Sequence, residues 1–339
     1  MGIAGALAAT AATAATAMLA ATAVLAVAQG AQAAQGEQAA QASPQQRVPE
    51  LAWHLQEPPN PAGSVGSSLS GVSCSAADAC TAVGSDESVS GGQGVFTTYA
   101  ERWDGSSWTI QNTPAGTSSN LNGVDCLSAT DCVAVGDILT GVGINLDTLA
   151  ETWNGSTWTI QGTPTPTGAT RAFLSEVSCV SATSCEAVGS FNRKTSNEFL
   201  FAEKWNGTSW KLQTTPALAS SPNNRFNGVS CTSVSSCIAV GTAGSSMLAE
   251  HWNGSSWTIM SPTSPAGGFL GGVSCTSANA CTAAGDYNNG SGVVSLAERW
   301  DGSTWTQQST PNRIGASVSD LTDVSCASAK QCTSVGGAF

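Results

Sequence analysis

Charged side chains are scarce in this chain of 339 residues, since Asp, Glu, Lys and Arg together make up only 10% of it. The eleven basic residues are scattered along the chain, and the formal net charge is −12. Nucleic acid binding depends on clustered Lys and Arg, because these side chains replace the counterions of the phosphates. We therefore expect no nucleic acid as a partner.

Histidine and tyrosine are also rare, with two residues of each. The histidines, His54 and His251, each lie beside a tryptophan in a strand-like segment. Catalytic triads use histidine as the base, and histidine is the commonest side-chain ligand of metal ions. The sequence therefore favours a protein without metal or cofactor, and binding over catalysis.

Charge is absent altogether from the first 36 residues, which are mainly Ala, Thr, Val and Leu and include the small-residue run Ala31, Gln32 and Ala33. This composition predicts a secretory signal peptide over residues 1–34. A membrane anchor is the alternative, because the stretch exceeds the roughly 20 residues that span a bilayer. Residues 35–50 predict a disordered linker. Either reading places the protein outside the cell or at its surface, with no other contact with a membrane.

The cysteines reveal an internal repeat, because all twelve fall into pairs of identical CxxxxxC spacing. Successive pairs lie 44 to 53 residues apart, which is the range of β-propeller blades. The repeats start near residues 71, 123, 176, 228, 272 and 323, within a domain of residues 51–339. The pairs are Cys74/Cys80, Cys126/Cys132, Cys179/Cys185, Cys231/Cys237, Cys275/Cys281 and Cys326/Cys332.

These cysteines favour disulfides over a metal site. A structural zinc site needs about four ligands at one point, whereas each repeat supplies two with five residues between them. An even number of cysteines behind an export signal is typical of a disulfide framework. We therefore predict one disulfide in each repeat.

Each complete repeat also contains two tryptophans at a similar distance after its cysteine pair. The repeat as a whole predicts four short strands, which we call A to D. Strand A ends in ValSerCys, strand B carries AlaValGly, strand C carries LeuAlaGlu, and strand D follows an AsnGly or AspGly turn. The two tryptophans then face each other across that turn and serve the scaffold. The pairs are Trp103/Trp108, Trp153/Trp158, Trp205/Trp210, Trp252/Trp257 and Trp300/Trp305.

The expected fold is all-β, a β-propeller of about six four-stranded blades. The segment Trp53, His54, Leu55 and Gln56 matches a strand D, whereas residues 323–339 supply only A and B. We therefore expect the N-terminal strand to complete the closing blade. That blade either has three strands, or it belongs to a parent with more blades.

The segments CysThrAlaValGly (80–84) and ArgTrpAspGlySerSerTrp (102–108) resemble the kelch and galactose-oxidase type of propeller, over residues 51–339. The same core is weakly similar to the Asp box of sialidase propellers. The copper site of galactose oxidase needs two tyrosines, two histidines and a free cysteine together, which this chain does not supply. A sialidase would need three arginines and a tyrosine, for which Arg171, Arg225, Arg313 and Tyr287 are the available residues.

Function is expected on the face formed by the B–C and D–A loops, because these loops vary in length and content whereas the A–B and C–D turns are constant. The main hypothesis is a monomeric, non-catalytic extracellular or cell-wall propeller that recognises a glycan or a protein. The alternatives are a glycan-active enzyme and a structural spacer. The candidate ligand-binding residues are Arg171, Phe173, Arg225, Phe226, Arg313 and Tyr287.

One glutamate recurs in strand C of every complete repeat. A ring of carboxylates could bind a cation, but a residue that repeats with the scaffold is more often part of the scaffold. We expect these glutamates to accept backbone hydrogen bonds from the next blade. They are Glu101, Glu151, Glu203, Glu250 and Glu298.

Overall fold

The computed structural model describes residues 56, 58–114, 116, 118–140, 145–194, 197–216, 218, 223–262 and 267–339. The expected signal or anchor segment, the linker and residues 51–55 lie outside this part. The described chain forms β-strands and no helix. It accordingly contains no helix long and apolar enough to cross a membrane.

Five sets of four consecutive antiparallel strands form the blades, and two further strands form half a blade. Blade 1 consists of β1 (Ser64–Ala76), β2 (Ala79–Ser90), β3 (Gln93–Trp103) and β4 (Trp108–Gln111); blade 2 of β5 (Ser119–Ser128), β6 (Asp131–Thr140), β7 (Asn145–Trp153) and β8 (Trp158–Gln161). Blade 3 consists of β9 (Arg171–Ser181), β10 (Ser184–Asn192), β11 (Glu198–Trp205) and β12 (Trp210–Gln213); blade 4 of β13 (Asn224–Ser233), β14 (Ser236–Ala243), β15 (Ser246–Trp252) and β16 (Trp257–Met260). Blade 5 consists of β17 (Gly268–Ser277), β18 (Ala280–Asn288), β19 (Val293–Trp300) and β20 (Trp305–Gln308), and the half-blade of β21 (Asp323–Ser328) and β22 (Gln331–Val335). The expected all-β, multi-blade propeller is confirmed.

All six predicted disulfides are present, and no cysteine is free among the twelve, which all lie in the described part. Each disulfide joins residues that lie directly opposite each other on strands A and B. Closing so short a loop stabilises the fold by about 2 kcal/mol per bridge in the chain-entropy model. The disulfides therefore fix the A–B turn of every blade. They join Cys74 to Cys80, Cys126 to Cys132, Cys179 to Cys185, Cys231 to Cys237, Cys275 to Cys281 and Cys326 to Cys332.

The six disulfides differ in exposure, although the repeat predicts them all alike. In the five complete blades the second cysteine pairs with the first tryptophan of strand C and is only 1 to 3% exposed. The half-blade has neither strand C nor a tryptophan pair among the described residues, so Cys332 is exposed. The second cysteine is therefore shielded from solvent in five disulfides but not in the sixth, and in blade 1 the first cysteine, Cys74, is also exposed. The buried second cysteines are Cys80, Cys132, Cys185, Cys237 and Cys281.

The turn between strands C and D follows from its Asn or Asp and the glycine after it. In blade 2, Gly155 adopts a φ of 93°, which favours glycine. The side chain of Asn154 accepts hydrogen bonds from the backbone nitrogens of Ser156 and Thr157, both at 2.9 Å. Asp104 does the same in blade 1, and hydrogen bonds from Ser106 and Ser107 lower its pKa to about 2. These turns serve the scaffold.

The two tryptophans of each blade face each other as predicted, with ring centroids 5.6 to 5.8 Å apart. The indole nitrogen of the first one donates to a carbonyl in the A–B turn, as Trp252 does to Val234 at 3.3 Å. In blades 2 and 4 the second one donates to a glutamine of the preceding blade, as Trp257 does to the Gln213 side chain at 2.6 Å. We call the face that carries the tryptophan pair the front of a blade, and the opposite face its back.

Replacing Trp257 with phenylalanine should destabilise the protein by about 1 kcal/mol more than the same change at Trp210. Both rings are almost fully buried, so the two variants lose similar packing. Trp257 also loses its bond to Gln213, whereas the Trp210 indole nitrogen has no hydrogen-bond partner among the described residues. Urea denaturation of both variants measures the difference, and equal midpoints would refute a role for this bond.

The hydrophobic core lies between blades, where the front of one blade packs on the back of the one before it. In the junction of blades 1 and 2, Val83 and Ala100 pack against Leu121, Val124 and the tryptophan pair of blade 2. A polar contact repeats beside each core. In each blade after the first, the backbone nitrogen of the first cysteine donates a hydrogen bond to the preceding blade. The acceptor is the side chain of the residue just before the first cysteine of that blade. The pairs are Cys126 to Ser73, Cys179 to Asp125, Cys231 to Ser178, Cys275 to Ser230 and Cys326 to Ser274.

The strand-C glutamates are fully buried, but the expectation that they bond to the next blade is wrong for two of them. Glu250 lies on the same face as Trp252, which packs against Val188 and Ala202 of the preceding blade. Neither carboxyl oxygen of Glu203 or Glu250 has a hydrogen-bond partner among the described residues. Burial raises the pKa of each to about 8. Burial thus favours the uncharged form of Glu203 and Glu250 at neutral pH.

The N-terminal segment contacts the front of blade 1. Gln56 accepts a hydrogen bond from Trp108 at 2.7 Å, as Gln111 accepts one from Trp158 and Gln213 from Trp257. Gln56 therefore takes the place of the last residue of a strand D. Residues 51–55 of the predicted closing strand lie outside the described residues. Strand β1 stays largely exposed, so the half-blade does not cover it in this structure.

Candidate functional site

The innermost strand of each complete blade contains a β-bulge four residues before its first cysteine. In blade 2, Leu121 and Gly123 pair with consecutive residues of β6, and Asn122 is the extra residue between them. Such a bulge bends the strand and redirects a side chain. The corresponding residues of the five blades are Ser70, Asn122, Ser175, Asn227 and Gly271.

The bulge leaves no room for a side chain at the glycine of the AlaValGly segment. The bulge presses strand A against strand B, so that a Cβ on Gly241 would collide with the carbonyl oxygen of Arg225. The same collision with strand A occurs at the other five positions, of which Gly136 and Gly189 are examples. One repeated glycine in strand B thus permits one repeated bulge in strand A.

An open hollow of about 410 Å³ lies at the inner strands of blades 2 to 5, near the strand ends that lead into the variable loops. Its volume lies in the range of small-molecule sites. Four of the five bulge residues line it. Its walls are formed by strand-A residues two positions before the bulge residues and by a residue of strand β6. The lining residues are Asn122, Asp137, Phe173, Ser175, Arg225, Asn227, Phe269, Gly271 and Thr322. We call this cavity the mouth.

Arg225 is held between an aromatic ring and a carboxylate. Its guanidinium carbon lies 5.2 Å from the centre of the Phe173 ring, which is a cation–π contact. Its nitrogen Nη2 lies 3.0 Å from an oxygen of Glu198, whose side chain is almost buried. The ring and the ion pair fix the guanidinium in one position while half of the side chain stays exposed. A ligand would therefore meet a preorganised wall.

Asp137 is held as firmly by two amides. Asn120 donates to one of its oxygens at 3.1 Å and Asn122 to the other at 3.2 Å. Burial raises the pKa of Asp137, while the two amides and the charge of Arg171 act in the opposite direction. Asp137 is the one carboxylate among the described residues that line the mouth. The mouth thus lacks the pair of carboxylates that most glycosidases use.

Acidic side chains pack against the glycines that directly follow two of the bulge residues. A Cβ on Gly123 would collide with the Glu176 carboxylate, and one on Gly272 would collide with that of Asp323. The two acids therefore occupy the space that the neighbouring glycines leave. Burial raises the pKa of Glu176 well above its usual value, and the negative charges of Asp323 and Asp125 raise it further. The described residues contain no cluster of His, Cys, Asp and Glu suited to a metal ion.

Comparison with known proteins adds a likeness of fold. No family model matches the sequence, and no curated protein matches it significantly. A structure of YCF48 from Cyanidioschyzon merolae aligns with a TM-score of 0.49 at 13% identity, over 83% of this chain and 95% of that one. YjhT aligns with a TM-score of 0.44 at 11% identity, over 81% and 99%. A GH74 xyloglucanase from Xanthomonas campestris gives 0.47 at 11%, over 76% of this chain and 42% of that one. Membership of the kelch or sialidase groups is not shown.

Two of the six residues predicted to bind a ligand, Phe173 and Arg225, line the mouth. Arg171 is exposed, close enough for its charge to act on Asp137. Arg313 is exposed in the loop after blade 5, and Tyr287 packs on the core between blades 4 and 5. These five placements leave the predicted roles of the residues untested.

Phe226 corrects the prediction, because its side chain is fully buried and packs against Trp257. It therefore belongs to the core between blades 3 and 4. The residues that the sequence reasoning missed are Phe269 and the bulge residues. A signal existed for Phe269, since it lies six residues before the first cysteine of its repeat, as Phe173 and Arg225 do.

Proposed function

We propose that the chain is an extracellular binding propeller that takes a neutral or basic ligand, part of a glycan or of a protein, at the mouth. The observation that carries this proposal is the cavity itself, which is walled by Phe173, Phe269 and the fixed Arg225. Aromatic rings beside a few oriented polar groups are typical of ligand pockets. The six disulfides support an oxidising, extracellular environment.

Charge around the mouth narrows the choice of ligand. Glu198 neutralises Arg225 on one wall, and Glu176 and Asp323 pack against the glycines that follow the lining residues Asn122 and Gly271. The whole chain carries a net charge of −12. An acidic ligand would meet repulsion on approach. We therefore expect neutral sugars or basic peptides, and not polyanions.

The ligand is best sought with a glycan array and a peptide array probed with the purified protein. The double variant Phe173→Ala and Phe269→Ala should weaken any captured ligand at least tenfold, which corresponds to about 1.4 kcal/mol. The matched control is Leu127→Ala with Val234→Ala, which removes exposed apolar side chains near A–B turns, on the opposite face. This control should leave the affinity within twofold of the wild type.

Each other outcome contradicts the proposal in its own way. A ligand that binds equally well to both double variants would place the site away from the mouth. Turnover of an arrayed glycan would favour the enzyme hypothesis. Silence on both arrays would favour a spacer.

A further inference from the structure

Every junction between blades contains a matched pair of small apolar side chains. At the four junctions between complete blades, a valine of strand A, two residues before the first cysteine, packs on the residue before the AlaValGly-type glycine of the preceding blade. At the junction with the half-blade, the corresponding Val324 and Ala284 are both buried. The valines are 3 to 7% exposed and their counterparts 0%. The valines are Val124, Val177, Val229, Val273 and Val324, and the counterparts are Val83, Val135, Val188, Val240 and Ala284.

At each end of the row of blades, one residue of this valine pair is present without its counterpart. Val72, at the valine position on the front of blade 1, is 53% exposed. Val335, at the counterpart position on the back of the half-blade, is 44% exposed. Residues that are buried at five junctions are therefore open to solvent at both ends. Because both are exposed in the same chain, they do not cover each other.

The polar contact beside the junction has the same unmatched ends. At the five junctions a first-cysteine nitrogen donates to the side chain before the cysteine of the preceding blade, as Cys326 does to Ser274 at 3.0 Å. The corresponding groups at the ends are the nitrogen of Cys74 on the front and the hydroxyl of Ser325 on the back. The front of blade 1 thus presents a backbone donor besides Val72, and the back of the half-blade presents a hydroxyl acceptor besides Val335.

The shapes of the two ends are complementary as well. The outer part of the blade 1 front is already covered by the N-terminal segment, since Trp108 bonds to Gln56 and the Tyr99 hydroxyl to the Pro59 carbonyl. Its inner part, β1, is uncovered. The half-blade consists of inner strands alone, β21 and β22. It would therefore fill the uncovered part without displacing the N-terminal segment.

We propose that a second copy of the chain provides this half-blade, so that β21 and β22 of one copy pack on β1 of the next. The contact would repeat the junction that the molecule already forms five times, with Val335 of one copy on Val72 of the other. It is a heterologous interface, which closes into a ring or continues from copy to copy. This proposal replaces the monomer expected from the sequence, and it is independent of the ligand at the mouth.

The contact is tested by mixing two variants of the full chain, each with one cysteine added to the twelve that form disulfides. One carries Val72→Cys and the other Val335→Cys, and a short bismaleimide is added under non-reducing conditions. We expect a band of twice the chain mass of 34.0 kDa in the mixture and little in either variant alone. The absence of a band specific to the mixture would overturn the proposal. So would internal cross-linking of a chain that carries both cysteines, because it would show that the ring closes within one molecule.

Light scattering provides a second readout. The wild type should show a mass at least twice that of one chain at micromolar concentration. Val335→Asp should reduce it to a single chain, because an aspartate would be buried without a partner in the contact. Val89→Asp is the matched control, since Val89 is comparably exposed at the loop end of β2, away from both end faces. A single-chain mass for the wild type, or an equal mass for both variants, would contradict the proposal.

Discussion

Replacing Gly241 with alanine will lower the melting temperature by about 6 to 12 °C. The added Cβ would collide with the carbonyl oxygen of Arg225 and would lie 2.9 Å from the Phe226 Cα. Both obstacles are backbone in the middle of a packed sheet, so neither can move aside cheaply. Overpacking of this kind costs about 3 kcal/mol, and a domain of this size loses about 2 to 4 °C for each kcal/mol.

The matched control is Gly162→Ala, which adds the same methyl group in a loop. No heavy atom lies within 4 Å of its Cβ position, and its φ is not in the left-handed region. Its melting temperature should stay within about 1 °C of the wild type, measured by circular dichroism. Equal melting of the two variants would show that the close approach of strands A and B is absent in solution. Loss of ligand in Gly241→Ala at a temperature where it stays folded would link the bulge to the mouth.

The bulge also marks the limit of what the sequence reveals. The disulfides were predictable because the partners are six residues apart and every repeat contains the same spacing. The bulge was not, because it depends on the register between two strands and its residue is serine, asparagine or glycine. The strand and turn pattern thus predicted the scaffold. The cavity depends on one extra residue in strand A, and that residue has no fixed type.

Arg225 and Phe226 show the same limit for the candidate site. Adjacent residues of a strand point to opposite faces, so at most one of them could point into the mouth. Comparing the repeats distinguishes the core position from the surface position. The position of Phe226 is leucine in the other repeats, for example Leu121, Leu174 and Leu270, which indicates a core position. The position of Arg225 varies among Asn120, Phe173 and Phe269, which is typical of a binding surface.

The buried glutamates make stability depend on pH in a direction opposite to that of paired surface carboxylates. In the unfolded chain a glutamate has a pKa of about 4.3, whereas burial raises that of Glu250 to about 8. Between these values the folded state binds a proton that the unfolded state has lost. The free energy of unfolding therefore falls as pH rises from about 4.5 to 8, and this contribution is constant above that range.

Replacing Glu250 with glutamine removes this titration while keeping the size and polarity of the side chain. At pH 4.5 the variant and the wild type should unfold at similar temperatures, because both side chains are then uncharged. At pH 9 the variant should be more stable by several kcal/mol, on the order of 1.4 kcal/mol for each unit of the pKa shift. The melting temperature should then be higher than that of the wild type by about 10 °C.

The decisive measurement is the difference in melting temperature between Glu250→Gln and the wild type at each pH from 4.5 to 9. Asp78→Asn is the control, since Asp78 is exposed in the A–B turn of blade 1 and its replacement removes the same negative charge. Its difference from the wild type should stay small across the range. A Glu250→Gln curve parallel to the wild-type curve would show that the carboxyl group ionises in the fold at little cost. A difference that grows through neutral pH would instead show that the fold buries Glu250 as an uncharged acid, because desolvation of the charged form is the one cause that raises this pKa.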